Sequence, residues 1–335
     1  MHIRSPITPM LAVTVDRLPG PAQCRGGCLF EPKFDGFRAV ASVEPGRGVH
    51  LWSRRRTSLN AAFPEVVAAL AEWVPAGTVL DGEIVRWSAE GRLDFGALQR
   101  RHVAGGRRAA LARTEPCHYV AFDVLETGGA DLRPRPLRER RRALEGLLAG
   151  AGPGALVIAC PQTADRAEAE LWFAALAAQG IEGLVIKAAG DPYQAGRRRW
   201  WKIKHRSTVE VIVGGVTGSP ERPETLVLGR RAAGGRLRVV ARTGPLPLPA
   251  RTELGAVLRP AGDDHPWPAE LPAALAGGPY GGGPPLRYVR TVPDTVVEIS
   301  VDTATEAGRW RHAARFVRTR PDRHPGDVPA GLAPE

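Results

Sequence analysis

The sequence predicts an α+β domain over residues 1–206, a small all-β barrel or sandwich over 207–323, and a loose tail over 324–335. Three observations carry this. A chain of 335 residues is long enough for two domains. Up to about residue 206, strand-like runs mix with segments of helical period. Beyond it, helical periodicity thins and five short strands follow one another across Gly- and Pro-rich joints.

Residues 1–28 carry turn residues and little periodicity. LFEPKFDGFRAVASVE at 29–44 reads as strand, turn and strand, with the turn at Asp35-Gly36. GVHLWS at 48–53 is a further strand. FPEVVAALAEWV at 63–74 has helical spacing on Val66, Val67, Leu70 and Trp73. TVLDGEIVRW at 78–87 is a strand with an acidic centre, and CHYVAFDVL at 117–125 is another. The arginine-rich stretch at 136–149 is helical, with Leu137, Leu144 and Leu148 on one side. LVIAC at 156–160 is a strand, 165–179 a helix, and IEGLVIK (181–187) and RWWKIK (199–204) two more strands. The second part contributes VEVIVGGV, TLVLGR, LRVVART, LRYVRT and TVVEISV. A Pro- and Gly-rich interruption at 245–285 contains a helix near 250–258.

Composition excludes several classes. Hydrophobic residues make up 43% and charged residues 24%, which argues against wholesale disorder. No apolar run approaches the ~18–20 residues of a membrane-spanning helix, and MHIRSPITPM has no secretory core. Cys24, Cys28, Cys117 and Cys160 are too few and scattered for a disulfide framework. Cys24 and Cys28 form a lone C-x-x-x-C, which leaves either half of a zinc site or, with the other two, four reduced thiols. The net charge of +11 suits a polyanion partner, or else a solvated basic surface.

Lysine usage is sharper. Of 46 Lys and Arg residues, only Lys33, Lys187, Lys202 and Lys204 are lysine. Arg stays protonated, whereas Lys can become an amine nucleophile. Lys33 begins K-x-D-G-x-R, which reads either as a nucleophile beside a metal-binding carboxylate and a phosphate- or ribose-binding guanidinium, or as an ordinary hairpin turn. Lys187 ends E-G-x-V-x-K from Glu182. Lys202 and Lys204, in W-K-x-K, share one strand face and repel unless an anion sits there. Leu80-Asp81-Gly82-Glu83 adds paired carboxylates, Asp81 being either functional or a turn residue.

Taken in order, KFDGFR, SRR (53–55), LDGEIV, YVAFDVL, EGLVIK, WWKIK and RFVRTRPD (315–322) resemble the ATP-dependent DNA ligases of the covalent nucleotidyltransferase superfamily. All four lysines fall inside these segments. The resemblance implies a nucleotidyltransferase (ATP-grasp-like) adenylation core over 1–206, followed by a C-terminal OB-fold β-barrel over 207–323. It implies that Lys33 attacks the α-phosphate of ATP and carries AMP, which passes to the 5′-phosphate of a nick before the 3′-hydroxyl displaces it. Glu31 then faces the adenine edge and Phe122 its ring. Glu83 holds the ribose, Arg38 ribose or DNA phosphate, and Arg54 the nick phosphate or the nucleotide. Asp35 and Glu182 support Mg²⁺ (or Mn²⁺), Lys202 and Lys204 take the α-phosphate with help from Arg198, and Arg320 serves the first chemical step. Cations and metal near Lys33 are expected to lower its pKa from the usual ~10.4. The last motif departs from the family, with Arg323 after Asp322 where Lys is frequent.

The absence of an upstream nicotinamide-binding domain, of a four-cysteine zinc site and of a large N-terminal DNA-binding domain suggests a small stand-alone bacterial repair ligase. It is expected to be a nucleoid-associated cytoplasmic monomer acting on nicked double-stranded DNA, recruited by an end-binding repair protein. The alternatives are an RNA ligase or GTP-dependent capping-type enzyme, and a basic nucleic-acid-binding protein with a decayed core.

Overall fold

The computed structural model describes residues 6–332 apart from 153, 233, 273–283 and 307. The chain divides into two compact units, Met1–His205 and Arg206–Glu335.

The first unit contains, in order, β1 (Leu11–Thr14), β2 (Cys28–Pro32), β3 (Phe37–Glu44), β4 (Gly48–Ser53), α1 (Pro64–Trp73), β5 (Thr78–Val85), α2 (Phe95–Val103) and α3 (Arg108–Thr114). There follow β6 (His118–Thr127), β7 (Ala130–Asp131), α4 (Leu137–Leu148), β8 (Val157–Ala159), α5 (Arg166–Ala175), β9 (Gly183–Ala188) and β10 (Arg198–Lys204). One sheet runs β1-β10-β9-β2 and the other β4-β3-β5-β6-β7, with β8 added parallel to β6.

Strand alternation explains the layering. Phe37, Ala39 and Ala41 of β3, Leu80 and Ile84 of β5, and Tyr119 and Ala121 of β6 pack with Val66 and Leu70 of α1 and Leu144 and Leu148 of α4. The opposite face of the same sheet carries Val40, Val79 and Leu125, which pack with Met10, Tyr193 and Trp200. Arg38, Asp81, Glu83 and Phe122 alternate onto this second face. Period two therefore aims the polar residues of K-x-D-G-x-R and LDGEIV away from the helical core.

The turn expected at Asp35-Gly36 is present, but it does not close a hairpin. β2 pairs with β9, and β3 with β4 and β5, so the turn carries the chain from one sheet to the other. A side chain at Gly36 would bring its Cβ to 2.3 Å from the Ile84 carbonyl oxygen, which is why glycine follows Asp35. The helix expected over 136–149 forms as α4, with Leu137, Leu144 and Leu148 buried. Its buried face also holds Arg140, whose guanidinium makes a two-pronged ion pair with Asp123 (2.7 and 2.9 Å).

The cysteine reading needs correction. Cys24 and Cys28 form a disulfide, so the chain holds two free thiols, Cys117 and Cys160, both buried. Gly26 and Gly27, at φ +74° and +99°, turn the backbone between them, and the turn docks on the end of β9 through Ala189 N–H to Gly27 O (2.9 Å) and Gly190 N–H to Arg25 O (2.7 Å).

The second unit contains β11 (Arg206–Ser219), β12 (Arg222–Arg231), β13 (Leu237–Arg242), α6 (Leu248–Gly255), β14 (Glu270–Leu271) and β15 (Leu286–Arg287). It continues with β16 (Val289–Arg290), β17 (Val296–Asp302), β18 (Thr305–Glu306), β19 (Arg309–Trp310) and β20 (Arg315–Thr319). Its main sheet runs β13-β12-β11-β17-β20, with β16 beside β11. Among the described residues this path does not close into a ring of strands; a single bridge, Thr243 to Ala314, joins the segments flanking its two ends. The helix expected near 250–258 lies at 248–255; part of the Pro- and Gly-rich interruption falls outside the described residues. The segment read as a loose tail packs where it is described. Val328 is buried, and Arg230 donates to the carbonyl of Gly331 at 3.1 Å. Among the described residues no helix is long and apolar enough to cross a membrane.

Candidate active site

Lys33 follows β2 and extends its ladder. Its N–H donates to Gly183 O (2.8 Å), and its carbonyl accepts from Glu182 N–H (2.9 Å). The two residues are thus locked side by side although 149 positions apart. Gly183 is required there: its φ is +144°, and a Cβ would fall 2.0 Å from the Ile203 carbonyl oxygen. On the next strand, Lys202 pairs with Val185 and Lys204 with Gly183. Both lysines therefore face the end of β9 where Glu182 sits.

The side chains complete the cluster. Lys33 Nζ makes an ion pair with Glu182 Oε2, and Lys204 Nζ lies 3.2 Å from the same oxygen. Glu182 is almost wholly buried, whereas Lys33 keeps a fifth of its side chain exposed. Lys202 has its pKa lowered, first by burial and then by Lys33 and Lys204.

Lys33 behaves otherwise than expected. Burial acts to lower its pKa, but Glu182, then Glu83 and Asp35, act to raise it, and the net shift is upward. The nearby cations depress Lys202 instead. Glu83 is pushed up to about 8 by burial, which the charges of Lys33 and Arg38 only partly offset.

A second constellation lies on the inward face of the other sheet. Arg38 grips Asp81 with Nε (2.8 Å) and Nη2 (2.6 Å) and donates to Met10 O (2.9 Å). Tyr193 donates to Asp81 at 2.6 Å. The guanidinium lies 4.8 Å from the ring centre of Phe122 and 5.1 Å from that of Trp200. Phe122 also faces Lys187, whose ammonium sits 4.5 Å from the ring centre and forms an ion pair with Glu31 at 2.7 Å.

The structure thus brings Lys33, Asp35, Glu83, Glu182, Lys202 and Lys204 into one electrostatic neighbourhood, and ties Arg38 and Phe122 to one another. Arg198 is exposed and donates to Ala12 O at 3.2 Å. Arg54 is exposed in the turn after β4. Arg320 belongs to the second unit, where it holds Asp322 with two hydrogen bonds (2.9 and 2.8 Å) and pairs with Glu210. That contact keeps the Asp322 carboxyl at about 2.

A family model described as "ATP dependent DNA ligase domain" matches residues 9–204, more than half of the chain. The chain belongs to the ATP-dependent DNA ligase family. The ligase is 36% identical to "DNA ligase C" of Mycobacterium tuberculosis, over 97% of this chain and 93% of that protein. It is also 36% identical to "DNA ligase C2" of Mycolicibacterium smegmatis, over 96% and 93%. Its structure resembles mycobacterial DNA ligase D complexed with ATP and MES, at 28% identity and a TM-score of 0.52, covering 97% of this chain and 98% of that one.

The ligase uses ATP and a divalent metal, as its family does. Its residues fit both. Glu182 and Asp35 are hard oxygen donors gathered beside Lys33, the donor class that Mg²⁺ prefers. Lys33, Lys202 and Lys204 gather three ammonium groups, a concentration of positive charge that suits a phosphate, and the Lys202 pKa is lowered by burial and then by the other two.

Lys187, Trp200 and Tyr193 are missing from the residues expected by sequence to form the site. Lysine scarcity had flagged Lys187, but nothing local assigned it a partner. Asp81, left open between function and turn, is the carboxylate that fixes Arg38.

The raised Lys33 pKa has a kinetic consequence. Attack needs the neutral amine, so the ammonium must first lose its proton. Because the folded pKa lies above the ordinary value, the neutral fraction at pH 7 is small and rises with pH. Single-turnover formation of the lysyl adduct is therefore expected to rise with pH between pH 6 and 8, most steeply at limiting Mg²⁺ and less so once a metal draws Glu182 away from Lys33. A flat profile contradicts this.

Proposed function

We propose that this ATP-dependent DNA ligase seals nicks with 5′-phosphate and 3′-hydroxyl ends through AMP carried on Lys33. The observation that carries the assignment is the placement of Lys33 against Glu182 and Lys204 at the joined ends of β2, β9 and β10. Lys33 Nζ, once neutral, attacks the α-phosphorus; the P–N bond forms as the bond to pyrophosphate breaks. Lys202 and Lys204 stabilise charge on the α-phosphate, and Arg198 adds to their field. Glu182 and Asp35 would hold Mg²⁺, which neutralises phosphate charge. Drawing Glu182 to a metal also removes the main carboxylate that keeps Lys33 protonated.

Phe122 offers its ring to the adenine, Glu31 its carboxylate to the base edge, and Glu83 its carboxyl to the ribose. Arg38 sits beside Phe122, where ribose or DNA phosphate would pass. Arg54 meets the nick phosphate or the nucleotide. In the next steps an oxygen of the DNA 5′-phosphate displaces Lys33 from AMP, and the 3′-hydroxyl then displaces AMP.

The remaining assignments belong to the same reading. Residues 1–206 form the adenylation domain and 207–323 an OB-fold, supported by the five-strand path of the second unit. The enzyme works in repair as a nucleoid-associated monomer, delivered by an end-binding protein. Comparing ATP with nicked DNA against GTP with triphosphate-ended RNA tests the assignment. Product from the second pair alone would move the chain to the capping-type enzymes.

DNA affinity should fall steeply with salt. Arg54–Arg56 and Arg197–Arg199 are exposed and available to phosphates. Each phosphate contacted contributes about −0.9 to the slope of log K against log salt. Titration of a nicked duplex between low and moderate salt measures it, and a flat plot rejects these arginines as phosphate contacts.

A further inference from the structure

The short segment from Cys160 to Thr163 crosses between the two sheets of the first unit. At one end Cys160 N–H donates to Ala121 O of β6 (2.7 Å); at the other Thr163 and Phe30 of β2 exchange both backbone hydrogen bonds (2.8 and 3.0 Å). Gln162 is pinned between these anchors, and its Nε2 donates to Glu31 Oε1 at 2.7 Å. The other carboxylate oxygen of Glu31 takes the Lys187 ammonium at 2.7 Å. A carboxylate paired with a cation only accepts, so the amide nitrogen of Gln162, not its oxygen, must face it. Glu31 is thereby held by one donor on each oxygen, with lone pairs to spare for a further donor.

We propose that Gln162 is a positioning residue for base selection. It holds Glu31 as a fixed acceptor for a purine with an amino group at C6, and so sets the preference for adenine over guanine nucleotides. The proposal rests on the reading that Glu31 meets the base edge. Guanine presents a carbonyl oxygen at C6, which would set acceptor against acceptor in a buried place. Without Gln162, Glu31 loses a restraint and can turn from that geometry.

The test is calorimetric binding of α,β-methylene ATP and α,β-methylene GTP, which cannot transfer their nucleotide, to wild type, Gln162→Leu, Gln162→His and Glu31→Ala. KM and kcat for lysyl-AMP formation are measured alongside. For Gln162→Leu the Kd of the adenine analogue should rise about tenfold, as for a lost hydrogen bond to a charged group. The guanine analogue should change less than twofold, and KM for ATP should rise while kcat holds. Gln162→His, which can still donate to Glu31, should recover most of the loss. Equal weakening of both analogues, or none, overturns the proposal while Glu31→Ala still alters the preference. If Glu31→Ala itself leaves the preference unmoved, the reading of Glu31 fails and the proposal with it. A thermal shift common to Gln162→Leu and Gln162→His, with no change in preference, marks a packing role and also overturns it.

Discussion

Lys33→Ala and Lys33→Arg are both expected to lose the covalent AMP adduct completely. Alanine has no nucleophile, and arginine cannot supply a neutral nitrogen at any workable pH. The backbone bonds of Lys33 to Glu182 and Gly183 do not involve its side chain, so both variants should retain the junction of β2 and β9. Arginine also preserves the charge opposite Glu182, which makes Lys33→Arg the stricter of the two. Intact-mass measurement after incubation with ATP and Mg²⁺ reads the outcome directly. An AMP-sized increment on either variant would show that another residue is the nucleophile. Lys202, whose pKa is depressed by burial and by its two lysine neighbours, would be the first to examine.

Arg320→Ala is expected to cripple formation of the lysyl adduct, by about 10²-fold or more as for removal of a charge-stabilising donor. It should largely spare the joining of a nick that already bears a 5′-adenylate. A cation that stabilises departing pyrophosphate has nothing to act on once AMP is in place. Arg320 is held ready by Asp322 and Glu210, the first through two parallel hydrogen bonds. Its removal also leaves Glu210 with Arg323, 3.2 Å away, as a remaining partner, so the local fold should tolerate the change. Lys33→Ala should behave like Arg320→Ala on the adenylated nick, whereas Arg54→Ala should impair it. If Arg320→Ala slows ordinary and adenylated nicks equally, Arg320 merely grips DNA and the step-specific role is wrong.

The contrast between these residues shows what a chain discloses by itself. Lys33, Asp35, Arg38, Glu182, Lys202 and Lys204 could be singled out from the chain because local spacing marks them: a lysine two residues before Asp-Gly, and two lysines on one strand face. The strands around them were legible for the same reason, since a half-buried strand needs period-two alternation. The helices α2 and α3 were not read. The segment that holds them is rich in arginine and glycine, and the burial of Arg101 depends on distant partners: Glu65 of α1, 36 positions away, takes its guanidinium at 2.8 Å, and it also donates to the carbonyls of Leu111 (2.7 Å) and Glu115. Nothing local in the arginine-rich stretch at 136–149 marked Arg140 as buried; Asp123 of β6 takes its guanidinium and offsets the cost of burying the charge.

The sequence alone determined the family and the order of the two units, and it singled out Lys33 as the candidate nucleophile, because each rests on residue types and spacings rather than on folding. Tertiary structure decided the rest. It turned an apparent hairpin into a crossing between sheets, joined Cys24 to Cys28, and paired Lys187 with Glu31 and Arg38 with Asp81. Above all it set Glu182, Glu83 and Asp35 around Lys33, carboxylates that raise its pKa in the metal-free protein, against the lowering expected with cations and metal at hand. A pKa depends on which charges lie within a few ångströms and on how far water is excluded. Neither is a property of a motif; both arise only when residues 33, 83 and 182 are folded to one place.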